Sequence, residues 1–228
     1  MHILFFKQLP ERAKGSDIYL IHTDNSANLT TIETLAGESI DTLASIDTNS
    51  DGHYVIAGSF SKDIHLTETS SLTESSTSAT RAIYVAYYKE KDQLEWKKSY
   101  ELTTDYTNPS EVSGLFSTTV SLDAQNRVHL AYQAHGGEHT MLGKSYSAID
   151  SYRACFLSHD QEGNHIDGFC PKATYFSRGE SIASFGNQVF ISGPYFGDIT
   201  ISGKTLLSSG KPPLMEENSF LLRRDFGP

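Results

Sequence analysis

The fold is decided by a short pattern that occurs three times, first as DGHYVIAG at residues 51–58. It returns as QNRVHLAY at 125–132 and as GNQVFISG at 186–193. Each copy begins with turn-forming Gly, Asn or Asp residues and continues as a short run rich in β-branched and aromatic residues. The pattern therefore predicts a tight turn followed by a strand, repeated along the chain.

A second series of segments indicates how long the repeat is. Its members are DIYLIHTD at 17–24, AIYVAYY at 82–88, RACFLSHD at 153–160 and SFLLRRD at 219–225. Asp24 and Asp160 are 136 residues apart, which is two steps of 68, and Asp225 follows 65 residues later. A regular internal repeat is typical of solenoids, propellers and arrays.

Each full repeat contains four predicted strands, which in the second unit cover 40–46, 53–57, 83–87 and 94–100. Four antiparallel strands per repeat are typical of a propeller blade. We therefore predict an all-β fold, a β-propeller or propeller fragment of about four blades of four-stranded antiparallel sheets. One domain covers 1–228, with approximate blades 1–37, 38–105, 112–172 and 173–228. The first blade lacks its opening strand and the last lacks its closing strand.

Charge and composition exclude two classes of partner. Lys and Arg number 18 against 28 Asp and Glu, so the net charge is −10, and no concentrated basic face suits a nucleic-acid backbone. The apolar runs are far shorter than the roughly 18 residues of a membrane-spanning helix, so no transmembrane segment is predicted. Hydrophobic residues at 38% supply a core and indicate a folded chain.

The repeat also has a family resemblance. GPYFGDITISGKTLLSSG at 193–210, followed by SFLLRRD at 219–225, resembles the bacterial β-propeller repeat of the SBBP type. Residues 58–66, 83–87 and 94–96 give a looser match, and the third unit departs from it at 132–134. The resemblance covers most of 37–225. It implies a repeat platform in a surface or envelope protein and brings no catalytic residue.

We expect the protein in the periplasm, at the cell surface or outside the cell, because a β-rich, Ser- and Thr-rich chain is typical there. Met1 and His2 provide neither a charged n-region nor a cleavage site, so no signal peptide is read. Either the chain begins after processing or the protein is cytoplasmic.

The two cysteines flank a predicted hairpin turn, DQEGNH at 160–165. Counting outwards from the centre of that turn places Cys155 opposite Cys170. Directly opposed residues in antiparallel strands lie about 4.5–5.5 Å apart at Cα, which is within disulfide range. We predict a disulfide in an oxidising compartment and two adjacent thiols in the cytoplasm.

A calcium site is the one cofactor that the sequence suggests. Asp47, Asn49 and Asp51 stand at positions one, three and five of DTNSDG, as in a calcium loop, with Gly52 at position six. Position twelve is Gly58 and not the bidentate Glu of an EF-hand. The alternative is a polar turn that uses the Asx side chains for its own backbone.

No catalytic or cofactor-binding residue is assigned. HGGEH at 135–139 matches the H-x-x-E-H zinc-peptidase pattern, but its two glycines oppose the helix that this site needs, and an inter-strand loop is favoured. Nucleophile-elbow, phosphate-loop and dinucleotide motifs are lacking. The histidines within or beside strands, such as His22, His129 and His159, are expected to face solvent for the most part.

The predicted function is therefore a non-enzymatic platform for binding and assembly, a structural component of a bacterial envelope or extracellular complex. A carbohydrate-binding lectin or a propeller glycosidase is the alternative, because paired carboxylates of a glycosidase would come from different blades. Protein partners or self-assembly through blade edges and loops are expected. The free edge of 220–225 should recruit a strand, either ILFF at 3–6 or one from a neighbouring subunit.

Overall fold

The computed structural model describes residues 2–4, 18–24, 26–37, 41–73, 81–90, 93–102, 118–135, 138–141, 144–147, 152–207 and 218–227. Within these ranges the chain contains no helix and forms several antiparallel sheets. The prediction of an all-β fold is confirmed.

The strands are short, and their bounds follow in chain order. They are β1 (His2–Leu4), β2 (Ile18–Thr23), β3 (Leu29–Leu35), β4 (Thr42–Thr48), β5 (Tyr54–Phe60), β6 (Asp63–Thr67), β7 (Ser70–Thr73), β8 (Arg81–Glu90), β9 (Gln93–Leu102), β10 (Thr118–Leu122), β11 (Val128–His135), β12 (Glu138–Met141), β13 (Lys144–Ser147), β14 (Tyr152–His159), β15 (His165–Phe169), β16 (Lys172–Ala173), β17 (Phe176–Ser177), β18 (Ser181–Phe185), β19 (Gln188–Phe196), β20 (Ile199–Ile201), β21 (Lys204–Leu206) and β22 (Asn218–Asp225).

Four main sheets follow one another along the chain. We name them sheet 1 (β1-β2-β3), sheet 2 (β4-β5-β8-β9), sheet 3 (β10-β11-β14-β15) and sheet 4 (β18-β19-β22, with β17 also paired to β19). In sheets 2, 3 and 4 the second strand is followed in sequence by a separate hairpin, which is β6-β7, β12-β13 and β20-β21, respectively. Sheets 2 and 3 thus contain the four strands predicted for a full repeat, in chain order.

Sheet 2 is covered on both faces. Tyr54 and Ile56 of β5 point into a core shared with sheet 1, whereas Val55 and Ala57 point into a core shared with sheet 3. Side chains alternate between the two faces of a strand, so a strand buried on both sides needs apolar residues at nearly every position. This explains why all seven residues of β5 are buried.

The described core residues form three clusters, one between each pair of successive sheets. Leu20 and Leu35 of sheet 1 pack with sheet 2, and Val85 of sheet 2 packs with sheet 3. Phe156 of sheet 3 packs against Val189 of sheet 4 in the third cluster. The four sheets therefore form a stack in sequence order, with sheets 1 and 4 at its ends.

The same five-residue turn closes four of the strand pairs, beginning at Asp24, Asn49, Asp123 and Asp160. In the last of these, the Asp160 carboxylate accepts hydrogen bonds from the backbone N–H of Glu162 (3.1 Å) and of Asn164 (2.7 Å). The residue three positions after the first has a positive φ in every copy, namely Ala27, Gly52, Asn126 and Gly163. Asx side chains that bond their own backbone are the reason for the turn signals in the sequence.

The N-terminal strand lies in sheet 1. β1 pairs with β2, and Leu4 stands opposite Ile21. The described part of the suggested donor, Ile3 and Leu4, therefore pairs in its own sheet and does not complete the last unit, since β22 pairs with β19 alone among the described strands. Phe5 and Phe6 lie outside the described residues.

The two cysteines are joined. In the hairpin of β14 and β15, Phe156 pairs with Phe169, which places Cys155 opposite Cys170 as the turn predicted. The sulfur atoms are 1.95 Å apart and the Cα atoms 4.2 Å apart. Which compartment the protein occupies stays a prediction.

Removing this disulfide should destabilise the fold. The bridge closes a sequence separation of 15 residues, for which loop-closure entropy predicts a loss of about 3 kcal/mol in the free energy of unfolding. We expect that loss in urea denaturation of the Cys155→Ala, Cys170→Ala double variant. Wild-type protein measured with a reductant is the control and should shift in the same direction. Equal stability of the oxidised wild type and the variant would contradict the prediction.

Two glycines at the same turn position provide a matched pair. Gly52 (φ 88°) has open space where a Cβ would be added, whereas at Gly163 (φ 81°) that atom would lie 2.8 Å from the Trp96 ring. Both alanine variants suffer the strain of a positive φ, about 1–2 kcal/mol. Gly163→Ala also crowds Trp96, so it should cost about 1–3 kcal/mol more than Gly52→Ala in urea denaturation. Equal costs would show that the turn does not pack tightly on Trp96.

Candidate functional site

The described residues of the H-x-x-E-H segment lie in strands. His135 ends β11, and Glu138 begins β12, which carries His139. Residues 136–137 and the three side chains lie outside what the structure describes. Because the described backbone on both sides is extended, the helical face that a zinc peptidase needs is not formed, in agreement with an inter-strand segment.

The predicted calcium ligands have other hydrogen-bond partners. Asp47 turns towards β10 of the next sheet, and its Oδ2 accepts hydrogen bonds from the Leu122 N–H (2.7 Å) and the Ser121 hydroxyl (3.1 Å). This carboxylate therefore ties sheet 2 to sheet 3 instead of pointing into its own loop.

Asn49 is used in a similar way. Its Oδ1 accepts the backbone N–H of Asp51 (3.0 Å) and of His53 (3.1 Å), which is the Asx-turn alternative. Asp51 itself accepts a hydrogen bond from Ser50. In the described ranges no group of three or more His, Cys, Asp or Glu is placed to hold a metal. Calcium binding by Asp47, Asn49 and Asp51 stays a prediction, although the geometry favours the polar turn.

Several histidines are buried, which the sequence reasoning did not expect. His22, His129 and His159 are each no more than 2% exposed. His159 Nε2 lies 2.6 Å from the Tyr100 hydroxyl, and burial, followed by the nearby His165, lowers the pKa of His159 to about 3. This imidazole is therefore neutral at physiological pH.

A buried Asp–His–Ser network lies between sheets 3 and 4. His129 Nε2 is 3.2 Å from the Asp123 carboxylate, and His129 Nδ1 is 2.8 Å from the Ser158 hydroxyl. Arg127 Nε donates to the same carboxylate at 2.5 Å. Burial of Asp123 would raise its pKa, but hydrogen bonds from His129 and Arg127 outweigh burial and hold the pKa below its usual value.

This network has the residue types of a catalytic triad, but its serine is not accessible to a substrate. A nucleophilic serine must reach a substrate, whereas Ser158 is 8% exposed and lies within the hydrogen-bonded ladder of β14. Phe226 packs on the ring of His129, with centroids 4.8 Å apart, and Arg127 donates to the Gly227 carbonyl. The network therefore holds the segment after β22 against sheet 3.

A small recess of about 240 Å³, including its open mouth, lies next to Ser158. Phe156, Phe169 and Phe226 form part of its wall, and an ion pair between Arg224 and Asp167 stands beside them. The two charges neutralise each other. The recess therefore offers no unpaired charge to a ligand.

Two large apolar side chains, Phe185 and Leu221, are exposed on the outward side of sheet 4. Val189 and Ile191 of β19 point inwards to sheet 3, so alternate residues such as Phe190 point away from it. We call this side the terminal face. Besides the apolar Ala183, Phe185, Phe190 and Leu221, it carries polar and charged residues, namely Ser181, Gln188, Ser192, Ser219, Arg223 and Asp225.

Register shows that the terminal face corresponds to sides that are buried elsewhere. Ala57, Ala131 and Ser192 hold the same place in the three repeated turn-and-strand segments. Their cross-strand partners are Val85, Phe156 and Leu221, respectively.

The exposures at this position differ sharply. Val85 is 0% exposed and Phe156 is 3% exposed, because the next sheet covers each of them. Leu221 is 74% exposed. Phe185, which stands opposite Gln188 across a turn through Gly186, is 80% exposed. At this one position the terminal face exposes an apolar side chain that the next sheet covers elsewhere, and no further sheet of the described chain lies on it.

The outer edge of sheet 4 is also uncovered by a described strand. The third strands of sheets 2 and 3 are β8 and β14, and each of them has a strand on both sides, as the middle strand β2 of sheet 1 has. β22 occupies that position in sheet 4, and among the described strands it pairs with β19 alone. Exposed apolar patches on folded proteins often mark binding surfaces, because burial of apolar area against a partner is favourable.

The Asp123 network predicts a definite pH dependence. Asp123→Asn keeps an oxygen for the turn but removes the charge that His129 and Arg127 contact, and should cost about 1–3 kcal/mol at pH 7. A lowered folded pKa gives stability that is complete above the unfolded pKa of about 3.9 and is lost as pH falls through the lower value. The difference in urea stability between wild type and variant should therefore be constant from about pH 7 to 5 and shrink below about pH 4. A constant difference down to pH 2 would contradict the assignment.

Comparison with known proteins gives no assignment. No protein-family model matches the chain, and no curated protein is significantly similar to it. No helix in the described ranges is long and apolar enough to cross a membrane. The resemblance to SBBP-type repeats therefore depends only on the pattern of strands and turns.

Proposed function

We propose that this chain is a non-enzymatic binding and assembly platform of the β-propeller type, a structural component of a bacterial envelope or extracellular complex. The observation that carries the proposal is the exposure of Leu221, whose equivalents Val85 and Phe156 are buried between sheets. Exposed apolar side chains on the face of a sheet suit an assembly component, because a partner can bury them.

The propeller part of the proposal is supported by how successive sheets meet. β10, the first strand of sheet 3, lies beside both β4 and β18, the first strands of the neighbouring sheets. In a propeller the first strands of successive blades gather in this manner around a central channel. The bond from the Val120 N–H to the Ser45 hydroxyl (3.1 Å) joins two of these strands.

The cellular location is supported by the cysteines. Their side chains stand in bonding contact across β14 and β15, and disulfides persist mainly in oxidising compartments. This favours the periplasm, the cell surface or the exterior.

The lectin and glycosidase alternatives have less support. A glycosidase requires two accessible carboxyl groups about 5–10 Å apart, and the buried Asp123 is instead committed to His129 and Arg127. A repeat lectin would present similar loop residues in every unit, whereas the turn of sheet 4 replaces the capping Asp or Asn by Phe185.

The proposal is tested by co-purification of the tagged protein from its native source. Leu221→Asp and Phe185→Asp should each reduce recovery of the specific partner at least fivefold, because a charge in the terminal face opposes its burial. Leu207→Asp is the matched control, because Leu207 is 73% exposed but lies beyond β21, outside sheet 4. If the variants remain folded and no partner's recovery depends on the terminal face, the platform proposal is wrong.

A further inference from the structure

We propose that the groove between β3 and the β6-β7 hairpin binds an extended, positively charged polypeptide segment, which adds to β3 as a further strand. The groove lies beside sheet 1, apart from the terminal face of sheet 4, and the inference goes beyond the proposed function. It depends on the shape of the groove, on a strand edge that borders it and on the charge of its walls.

The groove is formed by two segments that meet at one point and then separate. His65 of β6 donates its backbone N–H to the carbonyl oxygen of Ala36, the residue that follows β3, at 2.9 Å. Among the residues that the structure describes, this bridge is the only backbone pairing between the two segments. Residues 31–35 form one wall and residues 66–69 the other, around a space of about 1380 Å³ that includes its open mouth.

The edge of β3 that borders the groove is open to a further strand. On its other side β3 pairs with β2, and the backbone groups of successive residues point to opposite edges of a strand. Because the Ala36 carbonyl points to β6, the N–H and C=O groups of Thr34 and Ile32 point to the same side. No described strand pairs with them there, and both residues are exposed. Such an edge is a template for an added strand.

The size and lining of the groove suit an extended peptide better than a compact ligand. Its β3 wall contains five residues, which span roughly 16 Å in a strand. Pockets for small molecules typically enclose about 300–1,000 Å³ and are mostly apolar. This groove is larger and carries threonines on both walls. Leu35 and Leu66 also line it, and their burial in the core shared with sheet 2 fixes both walls in place.

The charge of the groove selects the class of peptide. Glu33 and Glu68 line it, and no lining residue is Lys, Arg or His. The Glu33 carboxylate lies 2.9 Å from the buried His22 Nε2, whereas Glu68 is exposed. Lys97 contacts the same hairpin at β7 but is not part of the lining. Because complementary charge favours a partner and like charge rejects one, the groove favours a strand with Lys or Arg at alternate positions.

The first experiment tests the charge by fluorescence anisotropy at low salt. The probe is a labelled pool of nine-residue peptides with lysine at every second position and uncharged residues between. It should bind the wild type at least tenfold more tightly than a matched pool with glutamate.

A matched pair of variants then locates the charge. Glu68→Gln should weaken binding of the lysine pool about threefold, because an exposed ion pair contributes about 0.2–1 kcal/mol. Glu162→Gln makes the same change at an exposed turn of sheet 3 and should leave binding unaltered. Equal weakening by both variants would overturn the proposal, because it indicates general attraction to an acidic protein.

The second experiment tests the backbone pairing. Thr34→Pro removes an outward N–H of β3 and keeps the pairing with β2, so the variant should fold, as circular dichroism checks, and bind the lysine pool at least tenfold more weakly. On the wild type, lysine peptides are methylated at the backbone nitrogens of alternate residues, in two complementary sets. Only the set whose N–H groups face β3 should lose binding. Equal binding of the two sets, or no binding by the lysine pool, overturns the proposal even if Thr34→Pro does not fold.

The terminal face provides a separate control. Leu221→Asp lies on sheet 4 and should change peptide binding less than twofold. Loss of the peptide in this variant would place the binding site on sheet 4 and overturn the assignment to β3. If the lysine pool does not bind but a partner's recovery still depends on Leu221, the inference is wrong and the platform proposal stands.

Discussion

Each interior sheet of this protein buries apolar side chains on both of its faces, and the remaining structure depends on that constraint. A sheet covered on one side needs an apolar residue only at every second position, but β5 is buried at all seven positions. Its small residues, Ala57 and Gly58, let the neighbouring strands approach; a Cβ on Gly58 would lie 1.9 Å from the Thr42 carbonyl oxygen. Both faces of an interior sheet are therefore buried only when a further sheet packs on each of them.

Polar groups in this stack have to be paired, because a buried unpaired group costs about 1–3 kcal/mol. Asp47 provides one example. β10 is the edge strand of sheet 3, and the Asp47 carboxylate of sheet 2 accepts a hydrogen bond from the Leu122 N–H of that strand. Asp123 provides another, since one oxygen caps its own turn while the other contacts Arg127 and His129. Residues with the appearance of ligands or catalytic groups thus hold sheets and turns together.

The same constraint gives the ends of the stack their importance. The described chain covers only one side of sheet 4, and burial alternates along β22 as in a one-sided sheet. Leu221 and Phe185 of this sheet are 74% and 80% exposed. The recess beside Ser158 is small, and its charges are already paired.

The sequence by itself determined the local features: the all-β class, the order of four strands in sheets 2 and 3, the turns, and the register that sets Cys155 opposite Cys170. These follow from turn chemistry and from the period of two, which act over a few residues. Only the tertiary structure decided that β1 joins β2, that Asp47 binds the next sheet, and that His129 meets Ser158. Those contacts depend on which sheets become neighbours. The exposure of Leu221 was partly readable, because Arg223 and Asp225 follow it on the same side of β22, whereas the burial of Phe156 depends on the sheet that covers it.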